Sequence, residues 1–139
     1  MEKFDFYIRV FSNGDQYLSS FFLDNSLSNL IYIIDQLGHS ALELNSFKER
    51  ILQVQKNDKR SLVSYNTLYV YVTDEYCEVG QNDFKPNEFQ KISTEIVIDY
   101  IDKAILYFEK YSNGDIPGII PDSKKDDWII VPKESVNRE

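Results

Sequence analysis

The stretch FDFYIRVFSNGDQYLSSFFL, residues 4–23, decides the fold class of this chain. Along its first half, every second residue is apolar and belongs to one face: Phe4, Phe6, Ile8 and Val10. The residues between them are Asp5, Tyr7, Arg9 and Phe11. A period of two residues predicts a β-strand. Asn13-Gly14 follows, and this pair is the strongest short hairpin signal because both residues tolerate a positive φ. The returning strand is predicted at 17–23, so the chain is expected to open with an antiparallel hairpin.

Three helices are predicted beyond this hairpin. Apolar residues at helical spacing indicate one helix over 26–37, with Gly38 at its end. A capping box of Ser46 and Glu49 predicts the start of a second, shorter helix. The longest helix is predicted over 94–111, because apolar residues there step by four and three positions. Its buried face is expected to comprise Val97, Ile101, Ala104, Phe108 and Tyr111, widened by Ile98, Ile105 and Leu106.

The remaining strands are predicted from alternation and from turn residues. A second hairpin is expected over 61–73, turning at Asn66. Shorter strands are expected at 76–79, 89–92 and 128–131. Most strands are therefore predicted to form hairpins, and the helices lie between these hairpins in the sequence. This pattern predicts an α+β fold, with a mostly antiparallel sheet built from hairpins and helices packed on one face.

The length of 139 residues is that of one domain. We expect a single α+β domain over residues 1–132, because Pro132 stops the last predicted strand. Residues 133–139 are expected to form a flexible C-terminal tail.

The balance of charge restricts the partners. Asp and Glu number 23 against 15 Lys and Arg, which gives a formal net charge of −8. Such a chain is disfavoured as a binder of nucleic acid or of anionic membranes, and its field favours cations and basic proteins. The N-terminus lacks the basic and apolar regions of a signal peptide, and no apolar run is long enough to span a bilayer. We therefore expect a soluble, cytoplasmic protein with no membrane or nucleic-acid partner.

Candidate catalytic residues are few. Cys77 is the only cysteine and His39 the only histidine, too few for a structural zinc site. Acidic neighbours raise a thiol pKa, so Cys77 is expected to be structural. His39 is expected to cap the C-terminus of the first helix, where the helix dipole favours a positive charge. Glu95, Asp99 and Asp102 have helical spacing and could hold a divalent cation, but they lie mostly off the apolar face of the helix. The sequence therefore predicts no catalytic residue, no cofactor and no metal.

Acidic residues are concentrated in one segment. Residues 74–102 contain eight acidic and two basic residues, interspersed with aromatic residues, whereas bases outnumber acids in 46–60. Carboxylates speed the encounter with a basic protein and rings anchor the contact, so this segment is predicted to dock a basic partner. The opposing interpretation is that the rings are core and the acids only solubilise the chain. The residues predicted to bind the partner are Asp74, Glu75, Tyr76, Glu78, Asp83, Glu95, Asp99 and Asp102.

Three stretches carry a resemblance to a known class of proteins. They are the segment YVYVTDE at 69–75, the long helix at 96–111 running into SNGDIPG, and DDWIIV at 126–131. A compact, acidic, aromatic-rich α+β chain of this kind resembles the immunity proteins of bacterial toxin systems, including contact-dependent growth inhibition. These proteins share no single fold and no signature of functional residues. The resemblance implies a cognate toxin domain, often a nuclease, that is neutralised by tight binding in the cytoplasm.

Taken together, residues and resemblance predict a non-catalytic acidic protein that neutralises a basic partner. The expected partner is the C-terminal toxin domain of a cognate toxin. Two alternatives are left open, a small accessory or regulatory interaction domain and a hydrolase that depends on carboxylates.

Overall fold

The opening hairpin forms as the alternating pattern predicts. A computed structural model of the chain describes residues 3–11, 16–57, 59–111, 119–121 and 127–130. Strands β1 (Phe4–Phe11) and β2 (Gln16–Phe22) pair antiparallel, with Phe4 opposite Phe22. The turn predicted between them lies outside the described residues.

Two further strands complete the first sheet. β8 (Asp127–Ile130) pairs antiparallel with β1, which confirms the strand predicted at 128–131. β7 (Ile119–Pro121), which the sequence did not predict, pairs with β8. The strand order is β2-β1-β8-β7, so two distant parts of the chain meet in this sheet. The predicted tail at 133–139 lies outside the described residues.

The second sheet is a meander of four antiparallel strands in the order β3-β4-β5-β6. Its strands are β3 (Ser61–Tyr65), β4 (Leu68–Val72), β5 (Tyr76–Gln81) and β6 (Gln90–Ser93). The predicted hairpin turn is confirmed at Asn66, whose φ of 51° lies in the region that asparagine tolerates. β5 continues two residues beyond the predicted strand at 76–79. A short 3₁₀ helix, Pro86–Glu88, leads into β6.

Two helical segments follow the first hairpin. The predicted helix at 26–37 forms as a 3₁₀ helix, Asn25–Leu30, continued by α1 (Ile31–Leu37). α2 (Ala41–Gln55) begins five residues before the predicted capping box. Its N-cap is Ser40, whose hydroxyl oxygen accepts a hydrogen bond from the Glu43 N–H at 3.3 Å. The prediction of a start at Ser46 was wrong, because Ser46 and its partner lie on the exposed side within the helix.

α3 (Thr94–Tyr111) has the predicted bounds. The Ser93 hydroxyl oxygen caps its N-terminus by accepting a hydrogen bond from the Ile96 N–H at 3.3 Å. Val97, Ile101 and Ala104 are fully buried, but Phe108 is only half-buried and the side chain of Leu106 is 68% exposed. The buried stripe is therefore narrower than predicted, and it does not include Leu106.

The helices contact both sheets, and the core lies on the helix side of each sheet. In the second sheet the inner face is formed by Val63, Leu68, Val70, Val72, Cys77, Val79 and Ile92, all of them buried. The α+β class and the antiparallel pairing are thus confirmed, with the strands divided between two sheets. Among the residues described, no helix is both long and apolar enough to cross a bilayer.

Candidate functional site

The outer face of the second sheet carries the side chains that point away from the helices. Since side chains alternate along a strand, the residues between the buried positions of β4 lie on this face. The strand registers place Leu62 opposite Tyr71, Tyr71 opposite Glu78, and Glu78 opposite Lys91. One row of side chains therefore crosses all four strands. Leu62, at one edge of the row, is 42% exposed.

Aromatic rings form a connected group on this face, which we call the outer ring cluster: Tyr69, Tyr71, Phe84 and Phe89. The centroids of Tyr69 and Tyr71 are 6.4 Å apart, those of Tyr71 and Phe89 5.6 Å, and those of Phe89 and Phe84 5.9 Å. Each pair has the edge-to-face arrangement that aromatic quadrupoles prefer. Tyr32 of α1 extends the cluster by contacting Phe84 at 5.5 Å. All of these rings are half-buried, so part of each remains available for contact.

Gly80 makes room for two of these rings. It lies on the outer face, opposite Tyr69. A Cβ atom at this position would stand 2.7 Å from Cδ2 of Phe89 and 2.8 Å from Cδ2 of Phe84. The rings therefore lie directly over the glycine backbone, and this close approach explains a glycine inside a strand.

Two cations are held against rings of the same face. The Arg60 guanidinium lies 3.9 Å from the centroid of the Tyr71 ring, and its Nε donates a hydrogen bond to Oε1 of Glu78 at 2.8 Å. Lys91 Nζ lies 3.9 Å from the centroid of the Tyr76 ring. Both distances are within the range of a cation–π interaction. These contacts restrain side chains that would otherwise lose conformational freedom when a partner binds.

Three acidic residues lie at one end of this sheet, and we call them the acidic end: Asp74, Glu75 and Glu95. Asp74 and Glu75 form the turn between β4 and β5, and the Thr94 N–H donates a hydrogen bond to the Glu75 carbonyl oxygen at 3.1 Å. That bond brings the turn against the start of α3, where Glu95 is the next residue. All three residues are exposed, and none of their side chains forms an ion pair within the described ranges.

The turn of the acidic end is held by backbone and side-chain bonds. The Thr73 N–H and hydroxyl both donate to the Tyr76 carbonyl oxygen at 2.9 Å. Gln55 Nε2, at the end of α2, donates to the Asp74 carbonyl oxygen at 2.8 Å. The carboxylates are therefore presented from a fixed backbone.

Basic residues lie at the same end of the sheet, on the side of β3. Lys56 and Lys59 are exposed in the segment between α2 and β3, and we call them the basic turn. Ser61, the first residue of β3, pairs with Val72, so this segment adjoins the end of β4. The end of the sheet thus presents patches of opposite sign side by side.

The residues predicted to bind a partner are only partly brought together. Asp74, Glu75 and Glu95 form the acidic end, and Tyr76 and Glu78 lie on the adjoining outer face. Three others lie elsewhere. Asp83 follows β5, at the opposite end of that strand from Asp74. Asp99 and Asp102 lie along α3, where they pair with Lys103 at 3.0 Å and Lys48 at 2.8 Å.

One aromatic residue of the acidic segment belongs to the core. Tyr100 is fully buried, and its hydroxyl forms a hydrogen bond with Ser20 Oγ at 2.5 Å. Burial raises the pKa of this phenol far above its ordinary value. Conversely, the sequence analysis did not assign Tyr69, Tyr71 or Arg60 to a partner surface. The alternation in 68–72 could have placed both tyrosines on the outer face, whereas Arg60 required knowledge of the register.

Cys77 and His39 take part in separate contacts. Cys77 is buried with its Sγ 3.5 Å from Thr94 Oγ1, and burial raises the pKa of its thiol to about 11. The thiol pKa is therefore raised by burial away from water, and not by the acidic neighbours that the sequence suggested. His39 Nε2 lies 3.5 Å from Glu43 Oε2, one helical turn further on. In the part of the chain that the structure describes, no group of three His, Cys, Asp or Glu residues is arranged to hold a metal ion.

Comparison with models of protein families, with curated proteins and with solved structures finds no match to this chain. What the protein does must therefore be inferred from its own surfaces.

Proposed function

We propose that this chain is a non-catalytic binding protein that neutralises a basic partner, in the manner of an immunity protein acting on the toxin domain of a cognate nuclease toxin. The observation that carries the proposal is that one sheet carries both the outer ring cluster and the acidic end. Tyrosine and arginine are the residue types in which interface hot spots are enriched. The outer face supplies both, beside carboxylates that have no ion-pair partner among the residues that the structure describes.

The two parts of the surface have different tasks. Exposed carboxylates attract a basic protein over a distance of about 10 Å at 0.1 M salt and raise the rate of encounter. The rings then exclude water at the contact and slow dissociation. Arg60 and Lys91 are already held against rings, so binding orders little that was free before, which lowers the entropic cost of association.

A nuclease is a suitable target for such a surface. An active site that attracts phosphate is electropositive, and a carboxylate-rich surface can occupy or screen it. The negative charge of the bound inhibitor would then repel nucleic acid from the same site. This arrangement inhibits the partner without any chemical step by the inhibitor.

The first experiment asks whether there is a toxin. The product of the gene directly upstream is expressed alone and together with this chain, and growth is followed. The proposal predicts that the upstream product arrests growth and that co-expression restores it. Growth that is unaffected by the upstream product, or that co-expression does not restore, contradicts the proposal of an immunity protein.

The second experiment locates the interface by stopped-flow mixing at two salt concentrations. The test variant combines Asp74→Lys, Glu75→Lys and Glu95→Gln; glutamine at 95 avoids placing a positive charge in the first turn of α3. We expect slower association and a weaker salt dependence, with unfolding free energy changed by about 0.5 kcal/mol per exposed site. The matched control reverses the charges of the basic turn with Lys56→Glu and Lys59→Glu. It should leave the association rate unchanged or raise it.

Two outcomes would contradict this assignment. Unchanged association in the acidic-end variant would remove these carboxylates from the interface. Slower association in the basic-turn control would show that the partner is not basic, and would favour an accessory or regulatory interaction domain instead.

A further inference from the structure

The two edges of the second sheet differ in how the rest of the chain meets them. The edge at β6 is held against the 3₁₀ helix Asn25–Leu30. There the Asn29 side chain donates a hydrogen bond to the Glu88 carbonyl oxygen at 3.0 Å, and the Asn29 N–H donates to Gln90 Oε1 at 2.6 Å. β3 forms the other edge, and β4 is its only strand neighbour in the part of the chain that the structure describes. The open edge is therefore that of β3.

The hydrogen bonds of β4 determine which backbone groups of β3 point outward. The N–H of Thr73, directly after β4, donates to the Tyr76 carbonyl oxygen of β5. Because successive residues of a strand bond to opposite sides, the odd-numbered residues of β4 face β5 and the even-numbered ones face β3. The register pairs those even-numbered residues with the odd-numbered residues of β3. The N–H and C=O groups of Leu62 and Ser64 therefore point away from the sheet.

These outward groups can receive a further strand. No residue in the described ranges forms a hydrogen bond with the Leu62 N–H or C=O. The Ser64 carbonyl oxygen accepts a hydrogen bond from Arg50 Nη1 at 3.0 Å, in agreement with its outward direction. Arg50 is exposed, so an N–H group of an added strand can replace it. The Leu62 side chain, 42% exposed, offers the added strand an apolar contact.

Basic residues border this edge. Arg50 lies on it, and Lys56 and Lys59 are exposed just before β3. An open cleft of about 540 Å³ at this place is lined by Lys56, Asn57, Lys59 and Ser61. Five basic and two acidic residues occur in 46–60, whereas the chain as a whole has a net charge of −8. The edge of β3 is therefore suited to carboxylates, in contrast to the acidic end.

We propose that the open edge of β3 binds an extended, acidic segment of a partner protein as an added strand. Backbone hydrogen bonds to Leu62 and Ser64 hold the segment, and carboxylates beside Lys56 and Lys59 select it. A second copy of this chain is a poorer occupant, because pairing of β3 with β3 brings the Arg50 guanidinium groups of both copies to one edge. The edge is distinct from the outer ring cluster and the acidic end, and the inference does not depend on the proposed function.

The test uses the full chain and three blocked pentapeptides. The acidic probe is glutamate-threonine-valine-threonine-glutamate, which is the same in either strand direction. Its valine can lie beside Leu62 while one glutamate extends towards the basic turn. The first control peptide has lysine in place of both glutamates. The second control peptide keeps the acidic sequence but is methylated on the backbone nitrogens of its three central residues, which removes the donors that a strand requires.

Amide hydrogen exchange, followed by NMR, measures the pairing residue by residue. In the free chain the Leu62 and Ser64 N–H groups should exchange rapidly, whereas the Val63 N–H, which faces β4, should be protected. Saturating acidic peptide should slow exchange at Leu62 and Ser64 about tenfold or more and leave Val63 unchanged. Higher salt should weaken this effect, because it screens the carboxylates from the lysines. No slowing, or equal slowing by either control peptide, would overturn the proposal.

Variants of the edge make the test specific. Ser64→Pro removes an outward N–H and is compatible with an edge strand, so it should weaken binding about tenfold or more. The matched control Ser64→Ala keeps the N–H and should bind as the unaltered chain does; urea unfolding checks that both variants are folded. The pair Lys56→Gln and Lys59→Gln should also weaken binding.

Three outcomes of these measurements would overturn the proposal. They are equal binding by folded Ser64→Pro and Ser64→Ala, undiminished binding by the lysine variant, and protection of Leu62 and Ser64 that rises with chain concentration in the absence of peptide. The last would show that a second copy occupies the edge.

Discussion

Replacement of Gly80 by alanine tests the arrangement of the outer face directly. The new Cβ would stand 2.7 Å from Cδ2 of Phe89 and 2.8 Å from Cδ2 of Phe84, about 0.7 Å inside the 3.4 Å at which ordinary contact begins. Both rings would have to move, and overpacking of this kind costs about 1–3 kcal/mol. The loss of backbone freedom in the unfolded chain returns about 0.4–1 kcal/mol. We therefore expect a net destabilisation of about 1–2 kcal/mol.

Urea unfolding measures this effect, and ring removal provides the control. In a chain that already carries Phe84→Ala and Phe89→Ala, the same Gly80→Ala change meets no ring. There it should be neutral or stabilising, so the double-mutant cycle should show a coupling of about 1–3 kcal/mol. Equal effects of Gly80→Ala in both backgrounds would show that the rings do not lie over this glycine.

Three further predictions concern the core. Tyr100→Phe should cost about 1–3 kcal/mol because it leaves the buried Ser20 hydroxyl unpaired, and Ser20→Ala in the same chain should recover part of the loss, as urea unfolding can measure. Cys77, whose thiol pKa is raised to about 11, should resist alkylation by iodoacetamide at pH 8 in the folded chain and react after unfolding; equal rates would contradict its burial. Ile101→Ala should cost about 2–5 kcal/mol in urea unfolding, whereas Leu106→Ala should cost about 0.5 kcal/mol or less, and similar losses would contradict the observed burial of α3.

Much of the secondary structure could be predicted because its signals are local. Alternation in 4–7 and 68–72 records which side chains face the core, so these strands can be recognised without knowledge of their neighbours. The start of α2 was missed because Ser46 and Glu49 reproduce a capping signature inside a helix. A local motif cannot distinguish the end of a helix from its interior.

The division into two sheets depends on contacts between distant parts of the chain. β1 pairs with β8, joining Ile8 to a residue more than a hundred positions later, and no local pattern indicates such a pairing. The sequence left open whether the rings of the acidic segment belong to the core, and Tyr100 shows why. Its sequence neighbours are acidic, but rings of the first hairpin enclose it, with Phe4 and Phe6 at centroid distances of 5.0 and 5.1 Å.

The candidate site combines what could and could not be predicted. Charge counts alone directed attention to Asp74 and Glu75, which do lie together at an exposed turn. The same counts included Asp99 and Asp102, whose charges are paired within the chain. The sequence does not show these pairs, because Lys48 reaches Asp102 only through the packing of α2 against α3.

The central claim, that the outer ring cluster is the contact surface for a basic partner, is tested most directly by hydroxyl-radical footprinting of the free chain and of its complex with the upstream gene product. The measured quantity is the oxidation rate of individual side chains, which reports their exposure to solvent. The account predicts that oxidation of Tyr69 and Tyr71 falls strongly in the complex, while Leu106 on α3 and Leu42 on α2 are oxidised as in the free chain. Unchanged oxidation of both tyrosines in a complex that protects another surface would contradict it.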